Sequence, residues 1–395
     1  MHIRRTGVLL GAAFLMATSA IGPGFLTQTA VFTERLGPSF AFAILLSVLI
    51  DIAAQVSIWR VLTISGKRAT DVGNAVFRGV GTLLAVLVAL GGFAFNIGNV
   101  AGTGVGLETA FGVPVTTGAV ISAAFAIGIF LVREAGKVMD RLTVALGACL
   151  ILLTLYVAIA SQPPVAEAAL RSVWPTRIDA LSIVTIVGGT VGGYITFAGA
   201  HRLVDAGVHG LGAVRDVTRT AVTAISAATV MRVILFLAAL GVVQKGLALD
   251  PSNPAGSVFR LATGEVGYRI FGIVMWTAAV TSLIGAAYTS VSFLRDLHPA
   301  IDRHWQRAVI VLIALSTLVF VLTGRPARTM VVVGTLNGLI LPLALGTMLV
   351  AAHRRAIVGE YRQPRWLTGS GAVAAIAMAI AGAYVAWRDL PGMFR

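Results

Sequence analysis

Cysteine is almost absent. The single thiol, Cys149, lies inside an apolar run, which excludes a disulfide framework and a cysteine-held metal site. Charge is scarce too: Asp, Glu, Lys and Arg make up 12% of 395 residues, against roughly a quarter in a soluble domain. No His/Glu spacing matches a zinc motif and no nucleophile–base pair stands out, so the chain reads as a non-enzyme without a cofactor. Low-complexity linkers are missing, which leaves no seam for a separate soluble domain.

What is present is apolar. Hydrophobic residues reach 57%, more than burying one core requires, and the pattern is that of an all-α integral membrane protein. Eleven spans are expected, at 7–33, 40–63, 79–107, 115–132, 142–160, 180–204, 220–244, 267–292, 308–323, 329–351 and 368–387. Most are long enough to cross ~30 Å of hydrocarbon; the first, third and eighth exceed that and imply tilt or extension. The start, Met1-His2-Ile3-Arg4-Arg5 before apolar residues, imitates a signal peptide. Its apolar run continues to Thr33 without a polar mature start, so it reads as an uncleaved first helix.

A net charge of +14 would suit nucleic acid if it were gathered on one face. Here Lys and Arg are scattered through short loops, so lipid rather than nucleic acid is the expected surrounding. With the N-terminus in the cytoplasm, nineteen basic residues fall on the inner side and ten on the outer, which places the C-terminus outside. The remaining one, Arg232, lies within a span. Five of the six Trp, at 59, 174, 305, 366 and 387, fall near expected interfaces, and only Trp276 is deep.

Two spans are interrupted. Ile21-Gly22-Pro23-Gly24-Phe25 breaks the first, and Gly188-Gly189-Thr190-Val191-Gly192-Gly193-Tyr194 breaks the sixth. Paired breaks at corresponding places in two halves point to the binding site of a secondary transporter. Spans 1–5 (1–178) and 6–10 (179–352) read as two inverted repeats, with span 11 (353–395) appended. The span 6 glycines also show the Gly188-x-x-x-Gly192 and Gly189-x-x-x-Gly193 spacing of close helix packing.

With these motifs the chain resembles the NRAMP family of proton-coupled divalent-metal transporters, over nearly its whole length. Where that family has Asp-Pro-Gly-Asn, this chain has Gly22-Pro23-Gly24-Phe25. Leu36-Gly37, Ala53-Ala54-Gln55 and Ser65-Gly66-Lys67 follow in matching register. The family's span 3 motif, Asp-x-x-Glu-x-x-Gly-Thr/Ala, meets Asn96-x-x-Asn99-x-x-Gly102-Thr103. Its Gly-Ala-Thr-x-Met-Pro-His meets Gly188 to Tyr194. The resemblance implies the LeuT-type 5+5 inverted-repeat fold, alternating access, and a site at the two breaks. It also implies that the metal-ligand positions are Gly22, Phe25, Gly192 and Tyr194, that the proton-handling acids are Asn96 and Asn99, and that a span 10 Gln is Gly334.

The chemistry of those positions departs from the family's. A dehydrated transition-metal ion needs anionic oxygen, imidazole or sulfur, and bare charge in low dielectric is costly. Expected substrate-lining residues are Gly22, Pro23, Gly24, Phe25, Gln28, Gly189, Gly192, Gly193, Tyr194 and Asn337. They suit a small neutral or zwitterionic organic solute, or an organic anion. The alternatives are a divalent-cation carrier using carbonyls and waters, with or without proton coupling, and a non-transporting membrane sensor. Asp51, Arg232, Asn96 and Asn99 are the intramembrane polar candidates for coupling, H⁺ included, or for structural pairing. His201 and His209 are expected at the surface beyond span 6.

Overall fold

The computed structural model describes residues 2–295 and 297–393. Arg395 of the outer basic set lies outside them. Among the described residues every regular element is helical. In chain order they are α1 (His2–Ala20), α2 (Pro23–Leu36), α3 (Phe40–Ser65), α4 (Ala69–Val76), α5 (Val80–Phe111) and α6 (Val115–Leu131). There follow α7 (Arg133–Ser161), α8 (Val165–Val173), α9 (Ala180–Gly188), α10 (Ile195–Asp205), α11 (Val214–Val243) and α12 (Pro254–Arg295). The chain closes with α13 (Pro299–Arg303), α14 (Trp305–Thr323), α15 (Pro326–Ala351), α16 (Arg355–Val358) and α17 (Arg365–Arg388).

Each expected span coincides with helix, and the two broken spans are helix pairs. Seven described helical stretches are long and apolar enough to cross a membrane by length and composition. At 9 and 11 residues, α9 and α10 are too short to cross alone. α1 stops because Gly22 is extended (φ −98°, ψ −176°), and α2 restarts with Pro23 in its first turn. That position needs no amide donor and suits proline's fixed φ. The second break is a tight turn: the amides of Thr190, Val191 and Gly192 all point at the Val187 carbonyl, at 3.1, 2.9 and 3.2 Å.

α5 is the central post, running against α12, α15, α6 and α4. Small residues allow the approach. A Cβ on Gly106 would lie 2.7 Å from the Trp276 Cα of α12, and one on Gly102 would overlap the Pro23 ring. Large apolar side chains are exposed along α5, α6, α7, α14 and α17, among them Leu90 at 57%, Leu152 at 68% and Ile380 at 67%. Such a belt is tolerated when it faces acyl chains. The chain is an all-helical membrane protein.

Two expectations are corrected. Trp59 is not an interfacial residue: it is fully buried, and its Nε1 donates to the Thr196 carbonyl at 2.8 Å. His201 is not at the surface. It is 4% exposed, packs on Phe293 at 4.7 Å between ring centroids, and its Nε2 accepts from the Ala69 amide at 3.2 Å. Hydropathy put both at span ends. The ends of α3 and α10 are covered by α1 and α4, which hydropathy does not register. The connection expected at 161–179 carries the strongly amphipathic helix α8, set at 103° to α7.

Candidate functional site

α2 begins at the first break and points its opening turn at the second. A side chain on Gly22 would face the Ser282 Oγ of α12 at 3.4 Å and the Asn99 Oδ1 of α5 at 3.6 Å. Pro23 sits against Gly102, and Gly24 lies beneath the Gln28 amide and the Met330 carbonyl. Gln28 is fully buried and donates to the Met330 carbonyl at 2.8 Å, while Thr27 donates to the Met330 sulfur at 3.0 Å. The Gln28 Oε1 has no hydrogen-bond partner. It faces Gly189, where a Cβ would stand 2.7 Å away. Only glycine at 189 and 334 leaves room for this amide.

The second break presents Tyr194 and Gly193. Tyr194 is fully buried with its ring edge-on to Phe95, 5.4 Å between centroids. Its hydroxyl lies beside the Asn99 amide without reaching hydrogen-bond geometry, so the hydroxyl and both Asn99 polar atoms are unpartnered. Gly193 has φ +51° and abuts the Asn337 Oδ1. Asn337 donates from Nδ2 to the Gly91 and Val333 carbonyls, both at 2.9 Å, and its Oδ1 is unpartnered. Gly192 is packed away from open space, against the backbone of Gly188 and Asn337. Asn96 turns to α14, where Nδ2 meets the Ser316 Oγ at 3.5 Å.

Arg232 of α11 joins the two breaks. It is 3% exposed; Nη1 donates to the Thr190 Oγ1 at 2.9 Å, and the guanidinium carbon lies 4.2 Å from the centre of the Phe25 ring. Among the described residues, Nε and Nη2 have no hydrogen-bond partner. Asp51 of α3 is 1% exposed, within electrostatic reach of Arg232, and its Oδ1 is also unpartnered. Of the residues picked from sequence, Gly22, Phe25, Gln28, Gly189, Gly193, Tyr194, Asn99, Asn337 and Arg232 are thus linked across α2, α5, α11, α15 and the 189–194 turn. Sequence reasoning missed Ser282, Phe95 and Met330, ordinary residues of unbroken helices with no motif to mark them.

Unpartnered buried dipoles cluster at the two breaks, although each is costly away from water. Among the described residues, no three His, Cys, Asp or Glu side chains gather as a metal site would need.

Comparison with known proteins bears on the same point. A Bacillus subtilis membrane protein, YcsG, is 55% identical over 387 residues, covering 98% of this chain and 96% of that protein. A Haemophilus influenzae membrane protein is 57% identical over 376 residues, 95% of each. The solved Eremococcus coleocola manganese transporter superposes with a TM-score of 0.72 at 15% identity, covering 98% of this chain and 86% of that one. MhsT, solved with L-phenylalanine, superposes at 0.64 and 15% identity, covering 94% and 97%. These two likenesses show the shared fold. The family model for natural resistance-associated macrophage protein-like proteins matches residues 13–388, so this chain belongs to the Nramp family of membrane transporters.

Proposed function

We propose that this protein is a secondary-active transporter that moves a small polar organic solute by alternating access, and that its remodelled site does not carry Mn²⁺ or Fe²⁺. The observation that carries this reading is the set of side chains at the breaks. Hydrogen, aromatic rings, amides and hydroxyls stand at the positions of a metal site, and the polar atoms nearest to a side chain at Gly22 are the Ser282 hydroxyl and the Asn99 amide oxygen. Neutral dipoles without an anionic ligand repay little of the cost of dehydrating a divalent ion. The two inverted repeats, 1–178 and 179–352, would rock about this site with the N-terminus inside and the C-terminus outside. A cavity of about 470 Å³ lined by Arg68, His201, Arg202, Asp205, Tyr288 and Ser292 supports an inner vestibule at the far end of α10.

Family membership favours the competing reading, a divalent-cation carrier. Purified protein in proteoliposomes discriminates: Mn²⁺ uptake is expected to match protein-free liposomes, and saturable Mn²⁺ flux would overturn the organic-solute reading.

Asp51 is the candidate coupling acid, since intramembrane acids are commonly functional. Its Oδ1 makes no hydrogen bond that an Asn in its place would lose. Asp51→Asn should therefore leave the melting midpoint within about 3 °C of the natural chain, or raise it. A larger fall in detergent melting curves would make Asp51 a structural counter-ion of Arg232 instead.

A further inference from the structure

Arg232 touches both helix breaks. Its contacts with Thr190 and Phe25 use one nitrogen and one face of the guanidinium. The other two nitrogens, Nε and Nη2, are buried and unpartnered. These are the adjacent N–H donors that a guanidinium offers to a carboxylate in a two-point, planar pair. Asp51 does not take that place: neither nitrogen reaches it, although its charge is felt. A cation held this deep with two open donors is costly unless an anion completes it.

The rest of the site limits what the anion can be. Gln28 Oε1, Asn99, Asn337 Oδ1 and the Tyr194 hydroxyl are unpartnered but neutral. They match uncharged hydrogen-bonding groups. The Phe95–Tyr194 pair and Phe25 supply apolar ring surface.

Resting on the organic-solute reading, we infer that the transported solute is a small organic acid anion whose carboxylate is anchored by Nε and Nη2 of Arg232. Its remainder is uncharged, donating hydrogen bonds to Gln28 Oε1 and Asn337 Oδ1 and exchanging them with the Asn99 amide and the Tyr194 hydroxyl. The charge of Arg232 selects acids over their amides, and the planar fork of its guanidinium sets the orientation of the solute between the breaks.

The test is thermal stabilisation of the purified full chain in detergent. Acetate, lactate and benzoate are titrated against acetamide, lactamide and benzamide, with sodium chloride holding ionic strength constant and MnCl₂ as a separate arm. At least one acid should raise the melting midpoint saturably while its amide does not. Arg232→Gln should weaken that response by at least about 30-fold; Arg232→Lys, which keeps the charge but loses the fork, should retain part of it. Equal stabilisation by an acid and its amide would leave the organic-solute reading standing and sink the carboxylate anchor. Stabilisation by Mn²⁺ alone would sink both. The anchor also falls if none of the six compounds shifts the midpoint, or if Arg232→Gln responds as the natural chain does. Should Arg232→Gln not fold, the acid–amide comparison on the natural chain decides alone.

Discussion

Gly193→Ala is expected to cost about 3–5 kcal/mol, from a left-handed residue carrying a Cβ and from buried hydrogen bonds lost nearby. Two effects coincide at this position. With φ at +51°, any L side chain is strained. The new methyl would also overlap the Asn337 Oδ1, so the Asn337 side chain must move. Its Nδ2 then gives up the Gly91 and Val333 carbonyls, which lie in dry surroundings. The fall in melting midpoint should be about 10 °C or more. Gly207→Ala separates the two effects: φ there is +74°, but nothing lies within 4 Å of the added methyl. It should cost only the backbone term, about 1–2 kcal/mol. The collision itself is measured by combining Gly193→Ala with Asn337→Ala, which should cost clearly less than the sum of the two single changes. Additivity of the pair would mean that Asn337 does not brace the break.

The result bears on how the site works. Gly193 and Asn337 tie the second break to α15, and Gln28 ties the first break to α15 through Met330. The two breaks are thereby held against one helix, with Arg232 closing from α11. An arrangement with this many unpartnered dipoles persists only if the surrounding packing holds it. The glycines that let the backbones close on Gln28 and Asn337 do that holding.

The spans and both breaks were legible because they depend on local chemistry. An apolar run long enough to cross a bilayer, a proline at a helix start and a glycine-dense turn each announce themselves within a few residues. Contacts between distant residues carry no such signal. Trp59 and His201 read as terminal residues by hydropathy, yet packing across α1, α4 and α10 buries them. Arg232 was visible as a charge out of place, but its seat between Thr190 and Phe25 joins residues 42 and 207 apart in sequence. Gly334 reads as a lost amide against the family pattern. In the fold the Gln28 amide crosses from α2 to fill the space a side chain at 334 would need. The space beside a glycine in one helix is filled by a side chain from another, and a pattern read one helix at a time cannot show it.

The same packing makes a second large prediction, concerning whether a metal site could be restored. Gly22→Asp should fold. Gly22 has an extended backbone open to any residue, and its Cβ would make ordinary contacts with Ser282 and Asn99. Gly192→Met should not. A Cβ there would stand 2.5 Å from the Gly188 Cα, 2.6 Å from the Gly188 oxygen and 2.7 Å from the Asn337 oxygen, all backbone atoms. Gly188 in turn presses on the backbone of Gly334 and Gly338, so nothing can retreat. Opening three packed segments at once should cost about 4 kcal/mol or more, seen as loss of a monodisperse peak on size exclusion and a collapsed melting midpoint. Gly22→Asp should keep its peak and stay within a few degrees of the natural chain, still without Mn²⁺ stabilisation. Were Gly192→Met to fold as well as Gly22→Asp, the site would be a metal site with its ligands merely missing. The asymmetry expected instead means that the span 6 turn closes only around glycine. Backbone atoms of Gly188 and Asn337 occupy the space that a side chain at 192 would need.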